Sequence, residues 1–119
     1  MPVESWVTYL EDGEYFRVDF GGPIDDAGLV SRHVQLINAL RTHLYEDAML
    51  RLLFDTRYSK FESPAVHSAM REVFGRTPDD LKAYDVRVAL LNPDTDGRAG
   101  VHEAFFTGEA DAVSWLVRP

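Results

Sequence analysis

Apolar and polar residues alternate from Tyr15 to Phe20, with Phe16, Val18 and Phe20 on one face and Tyr15, Arg17 and Asp19 on the other, the period of a half-buried strand. An aromatic and β-branched run from Trp6 to Leu10 precedes it across Glu11-Asp12-Gly13-Glu14, so the two runs predict an antiparallel hairpin. Gly21-Gly22-Pro23 stops the second strand. Asp25 or Asp26 then caps a helix whose apolar positions Val30, Val34, Ile37, Leu40 and Leu44 recur at helical spacing. Met49 to Asp55 reads as a strand with Leu50, Leu52 and Phe54 on one face and Arg51 on the other. Ser63-Pro64 starts a second helix, because Ser accepts from the orphan N–H groups and Pro suits the first helical position. It runs through Val66, Ala69, Met70 and Val73 to the terminator Gly75. Thr77-Pro78-Asp79-Asp80 repeats the start signal for a short helical turn. Val86, Val88 and Leu90 alternate with Arg87 and Ala89 in a further strand, and Asn92 to Gly97 makes a turn. Val101 to Phe106 reads as the last strand, although the same residues fit a helix. Thr107 to Leu116 is the closing helix, with Ala112, Trp115 and Leu116 facing inward.

Strands alternating with helices imply parallel pairs joined by βαβ crossovers, to which the hairpin adds an antiparallel element. A sheet covered by helices on both faces would show nearly continuous apolar strands, whereas Arg17, Arg51 and Arg87 sit mid-strand opposite the apolar positions. The expectation is a two-layer α/β domain, a mixed sheet with helices mainly on one face and the other face at least partly open. Residues 1–119 are expected to be one domain, since that length fills a single core and no linker, repeat or low-complexity tract interrupts it.

Composition narrows the partners more than the fold. A formal charge of −8 opposes contact with phosphate backbones and anionic membranes, so neither nucleic acid nor a membrane surface is expected as a partner. Cysteine is absent, which removes disulfides, thiolate nucleophiles and Cys-ligated zinc. No apolar stretch approaches the roughly 20 residues of a membrane helix, and the start Met1-Pro2-Val3-Glu4 does not read as a signal peptide. A bacterial cytoplasm is the expected location.

Three stretches resemble the STAS-like group, in its SpoIIAA-like branch related to anti-sigma-factor antagonists. Leu50-Arg51-Leu52-Leu53-Phe54-Asp55 looks like that group's central strand ending in Asp, and Arg87-Val88-Ala89-Leu90-Leu91 like its next strand. Phe106 followed by Ala112-Val113-Ser114-Trp115-Leu116 looks like its terminal strand and helix. The resemblance implies a non-enzymatic regulatory or interaction module without cofactor. Phosphorylatable members carry Asp-Ser-Ser-Gly at the helix after the central strand, where this chain has Glu62-Ser63-Pro64-Ala65. Ser63 is the remaining switch candidate, with Arg57 and Lys60 upstream to meet a phosphate at the helix start. Capping alone accounts for Ser before Pro.

No phosphate loop, nucleophile elbow or His-Glu-x-x-His motif is present, and His33, His43, His67 and His102 are scattered. Asn92, Asp94, Asp96 and Glu103, with Gly97 at the sixth place, match the oxygen spacing of an EF-hand loop. A strand enters where an EF-hand needs a helix, and the same residues make a tight turn, so a turn is expected and no metal. Loops at the carboxyl ends of parallel strands are the usual ligand crevice, which here offers Asp55, Thr56, Arg57, Tyr58 and Ser59, then Asn92 and Asp94.

The leading expectation is a module that presents a surface to a protein or to a second copy, as a homodimer. Tyr15, Arg17, Arg51 and Arg87 on the open sheet face form that surface, joined by Trp6 if the hairpin register allows, because Tyr, Trp and Arg are the types that anchor interfaces. The alternative is a carrier of a small apolar ligand or lipid between sheet and helices, lined by Phe16, Phe20, Phe54, Met70, Phe74 and Trp115. An enzyme would need a hydrolytic site built on Asp55, His102 or a bound metal.

Overall fold

The computed structural model describes residues 6–10, 14–42, 49–74, 84–91, 97–98 and 103–118. In chain order they form β1 (Val7–Leu10), β2 (Tyr15–Asp19), β3 (Gly22–Ile24), α1 (Asp26–Thr42), β4 (Leu50–Asp55), β5 (Ser59–Phe61), α2 (Pro64–Phe74), β6 (Val86–Leu91), β7 (Gly97–Arg98), β8 (Glu103–Phe106) and α3 (Glu109–Leu116). The fold is α/β. A six-stranded mixed sheet has the order β1-β2-β4-β6-β8-β7, and β3 pairs with β5 in a small parallel sheet. The hairpin turn at residues 11–13, Leu44, Gly75 and the helical turn at 77–80 lie outside the described residues.

The hairpin forms as alternation demands, antiparallel from Val7↔Val18 to Leu10↔Tyr15. From β2 the sheet grows by parallel steps, Phe16↔Leu52, Leu52↔Val88 and Val88↔Glu103. The described part of the ambiguous segment before the closing helix, Glu103–Phe106, is thus a strand, β8. Crossovers of one hand that always step in one direction leave their helices on one face. Accordingly, α1 and α2 bury Leu29, Leu36, Leu40, Val66 and Met70 against Phe16, Val18, Leu52 and Phe54. The shorter α3 lies on the opposite face, where Ala112, Trp115 and Leu116 meet Leu53, Ala89, Leu91 and Ala104. It packs over β4, β6 and β8. The hairpin part of that face, with Thr8 exposed and Leu10 half-buried, stays open.

Two elements depart from the sequence pattern. The buried stripe of α1 is Leu29, Arg32, Leu36 and Leu40, whereas Val30 and Val34 are 52% and 50% exposed. The helix is rotated by about one residue, ~100°, because Arg32 is buried in place of an aliphatic residue. Its Nε donates to the Asp19 carbonyl at 2.8 Å and its Nη1 to the Gly28 carbonyl at 3.1 Å. Its guanidinium lies 4.4 Å from the Trp6 ring centroid, a cation–π stack that shields the charge with apolar surface. Gly21-Gly22-Pro23 also does more than stop a strand. Gly22 has φ +80°, which a side chain would resist, and lets the chain break from β2 and resume as β3. Its N–H donates to the Tyr58 carbonyl at 3.0 Å, so β3 and β5 prolong the neighbouring paths of β2 and β4.

Each face should respond separately to truncation. Phe54→Ala on the α1–α2 face and Leu53→Ala on the α3 face should each lower stability by about 2–5 kcal/mol in urea denaturation. Val34→Ser should change it by less than about 0.5 kcal/mol, as expected for an exposed position.

Candidate functional site

Charged side chains gather where β2 and β4 end, on the α3 face. Alternation puts Arg17, Leu53 and Asp55 on one side of the sheet, and the register Arg17↔Leu53 makes Arg17 a diagonal neighbour of Asp55. Asp55 is only 4% exposed. Its Oδ1 accepts from the Arg57 backbone N–H at 3.1 Å and Nε at 3.0 Å. Its Oδ2 accepts from Arg57 Nη2 at 3.0 Å and from Arg17 Nη2. The same two Nη2 groups reach Glu109 Oε1, at 2.9 Å from Arg17 and 3.2 Å from Arg57. Two arginines and two carboxylates therefore join β2, β4, the loop after β4 and the first residue of α3.

Burial by itself pushes the Asp55 carboxyl up, but the hydrogen bonds and charge of Arg57, together with the charge of Arg17, outweigh it and hold the group below the ordinary carboxylate range. Burial, and then the Glu109 charge, raise the nearby Tyr15 phenol against the opposing pull of Arg17. Asp55 is thus a fixed anion and Tyr15 stays neutral.

The remaining loop candidates hold the backbone. Thr56 Oγ1 donates to the Leu91 carbonyl, and Ser59 Oγ donates to the Thr56 carbonyl at 2.7 Å. Tyr58, between them, is 69% exposed, with the Arg57 guanidinium 5.4 Å from its ring centroid. Ser63 caps α2, its Oγ accepting from the Val66 N–H at 3.3 Å. Arg57 is turned to Asp55 and Glu109, Lys60 is exposed, and no hydrogen bond among the described residues joins either to Ser63.

The arginine row is occupied rather than bare. Arg51 Nε donates to the Leu116 carbonyl at 3.0 Å, and Arg87 Nη1 to the Arg118 carbonyl at 2.7 Å. Both close the carboxyl end of α3, whose last carbonyls lack helical partners. Tyr15 packs partly buried beside the α3 core. Trp6 leaves the row altogether, its ring stacking on Arg32 while its backbone N–H donates to Gln35 Oε1 at 2.9 Å.

Of the six residues expected to line a carrier space, the five with described side chains divide between the two faces of the sheet. Phe16, Phe20, Phe54 and Met70 belong to the α1–α2 core, and Trp115 lies across the sheet in the α3 core. The Phe74 side chain is outside the described part, as are the His67 side chain, His43, His102, Asn92, Asp94 and Asp96. His33 lies half-buried on α1. Gly97 and Glu103, the sixth and twelfth places of the calcium-loop spacing, belong to the paired strands β7 and β8, where Gly97 lies opposite Phe105.

Sequence reasoning picked out Arg17, Asp55 and Arg57 separately but missed Glu109, whose only local signal was an acid in the first turn of a helix. No family model, curated protein or solved structure matches the chain. No helix among the described residues is long and apolar enough to cross a membrane.

Asp55→Asn, which leaves two guanidiniums around a neutral amide, should lower stability by about 3 kcal/mol near neutral pH. A carboxyl whose folded pKa is depressed stabilises fully above its unfolded value, about 3.9. That stabilisation is lost as pH falls through the folded value, because the unfolded chain takes up the proton first. The urea midpoints of wild type and Asp55→Asn should therefore converge on acidification below about pH 4. Ser63→Ala should lower stability by ~1 kcal/mol in the same assay, and Ser63→Asp should retain most of it because Asp also caps.

Proposed function

We propose that the chain is a regulatory or protein-interaction module of STAS-like type that acts without catalysis, with a second copy of itself as its first partner. The observation that carries this reading is the state of the sheet's carboxyl end. Asp55, Arg57, Arg17 and Glu109 pair with one another, and the large aromatic side chain this end exposes among the described residues is Tyr58. A general base needs a pKa near its working pH and an unobstructed path to a proton. Asp55 is held ionised under two arginines. An exposed Tyr stacked with an Arg has instead the make-up of an interface anchor, broad contact with a polar edge. The element order supports the STAS-like resemblance: an opening hairpin, a central strand ending in Asp55, a helix headed by Ser63, and a terminal strand and helix.

Sedimentation velocity and native mass spectrometry on the same freshly purified protein test the reading. The expected result is a dimer whose mass includes no retained small molecule. Tyr58→Ala should shift it to monomer with stability changed by less than about 0.5 kcal/mol, as for other exposed positions. A monomer carrying a stoichiometric small molecule would replace this reading with a carrier, and a monomer at every concentration would remove the second copy as partner.

A further inference from the structure

The pair Arg17 and Arg57 holds more donors than its carboxylates use. Arg17 commits Nη2 alone to Asp55 and Glu109, which leaves the N–H of Nε and two on Nη1. Arg57 commits Nε and Nη2, which leaves two N–H on Nη1. Among the described residues no side-chain polar atom is both buried and unpartnered, so water reaches these donors. The two carboxylates differ in permanence. The Asp55 side chain is 5% exposed and uses both oxygens, whereas that of Glu109 is 41% exposed and is held through Oε1 only.

We propose that Arg17 and Arg57 form a binding fork for a phosphate dianion, inorganic phosphate or a phosphomonoester, and that Glu109 is its built-in occupant, displaced when the ligand enters. The fork keeps its shape without Glu109, because Asp55 holds both guanidiniums from beneath. With Glu109 turned out, two cations face one buried anion, and Asp19 beside Asp55 is directed to the Gly21 amide at 2.7 Å. An outside monoanionic carboxylate repeats what Glu109 already does from within the chain, where the tethered group enjoys an effective concentration of roughly millimolar or more. A phosphate brings a second charge and a further acceptor oxygen for the idle Nε and Nη1 groups, and planar guanidiniums match it bidentately. The corner favours anions in a second way. Helix α3 begins at Glu109, and its N-cap, Gly108, makes no side-chain cap bond, so the positive helix end adds its potential there. The overall charge of −8 acts weakly at this range, since about 8 Å of physiological salt solution screens it. This site does not depend on the interaction reading.

The test is an NMR titration of the full chain at fixed ionic strength, reading the Arg17 and Arg57 Nε–H resonances, with sodium phosphate, phenyl phosphate and sodium acetate as separate probes. Phosphate should shift both resonances saturably in the roughly millimolar range, and Glu109→Ala should tighten that binding about tenfold by removing the tethered competitor. Acetate should give no saturable shift. Adding Arg17→Met to Glu109→Ala should abolish binding; should that protein fail to give a folded spectrum, Arg17→Lys, which keeps the charge and loses the fork, should weaken it at least tenfold. Tighter binding of phenyl phosphate than of inorganic phosphate would assign the ligand as an ester, and the reverse as the free ion. Absence of saturable phosphate binding in Glu109→Ala, equal binding of acetate, or binding that the Arg17 variants leave intact would overturn the site.

Discussion

A charged group buried at the end of the central strand must be answered by charge, and much of the arrangement on the α3 face follows from answering Asp55. An unpaired carboxylate at that depth is untenable in an apolar setting. Arg57 comes from two residues further along and Arg17 from the next strand. The first sets the path of the chain leaving β4, and the second ties that path to the hairpin. Since each arginine has a nitrogen left to share, both also reach Glu109. The start of α3 is thereby positioned by the same anion, through an intermediate layer of cations. Helix α3 has only 8 residues, too few to persist alone. It is held by burial of Trp115 and Leu116 and by arginines at both ends.

Strand order has its own bearing on where binding can occur. Open α/β sheets offer a crevice where the order of parallel strands reverses. Here β2, β4, β6 and β8 follow one another in a single direction, so the parallel run contains no such reversal. The carboxyl ends of β2 and β4 are nevertheless polar. Polarity there takes the form of a layer of guanidinium and carboxylate groups, beside which Thr56 and Ser59 make hydroxyl-to-carbonyl bonds.

Period-two patterning made the strand phases legible: Phe16, Val18, Leu52 and Phe54 share the face assigned to them, and Arg17, Arg51 and Arg87 share the other. The Ser63 cap was legible for the same local reason, a hydroxyl before a proline. What escaped was every feature in which a charged residue is buried or meets a distant backbone. Arg32 occupies a core stripe because the Asp19 and Gly28 carbonyls and two aromatic rings surround it, and none of these is apparent from helical spacing. Arg51 and Arg87 looked like the solvated side of an open sheet. Their partners are carbonyls more than 25 residues away in sequence, 65 for Arg51 to Leu116. The β3–β5 pair was hidden because Gly22-Pro23 has the composition of a stop, although its conformation continues the strand path.

The long reach from β4 to α3 has a consequence for how the chain comes off the ribosome. Among the described elements the parallel strands all precede α3, so the sheet's second face, with Leu53, Ala89, Leu91 and Ala104, lacks this helical cover until α3 emerges. Nascent sheets with bare apolar surface are prone to stick to one another. In this chain the bare patch is flanked on β2, β4 and β6 by Arg17, Arg51 and Arg87, cations that keep water around it during the wait. Charged residues beside apolar strands are of the kind that oppose aggregation, and here the same arginines end as clamps on α3.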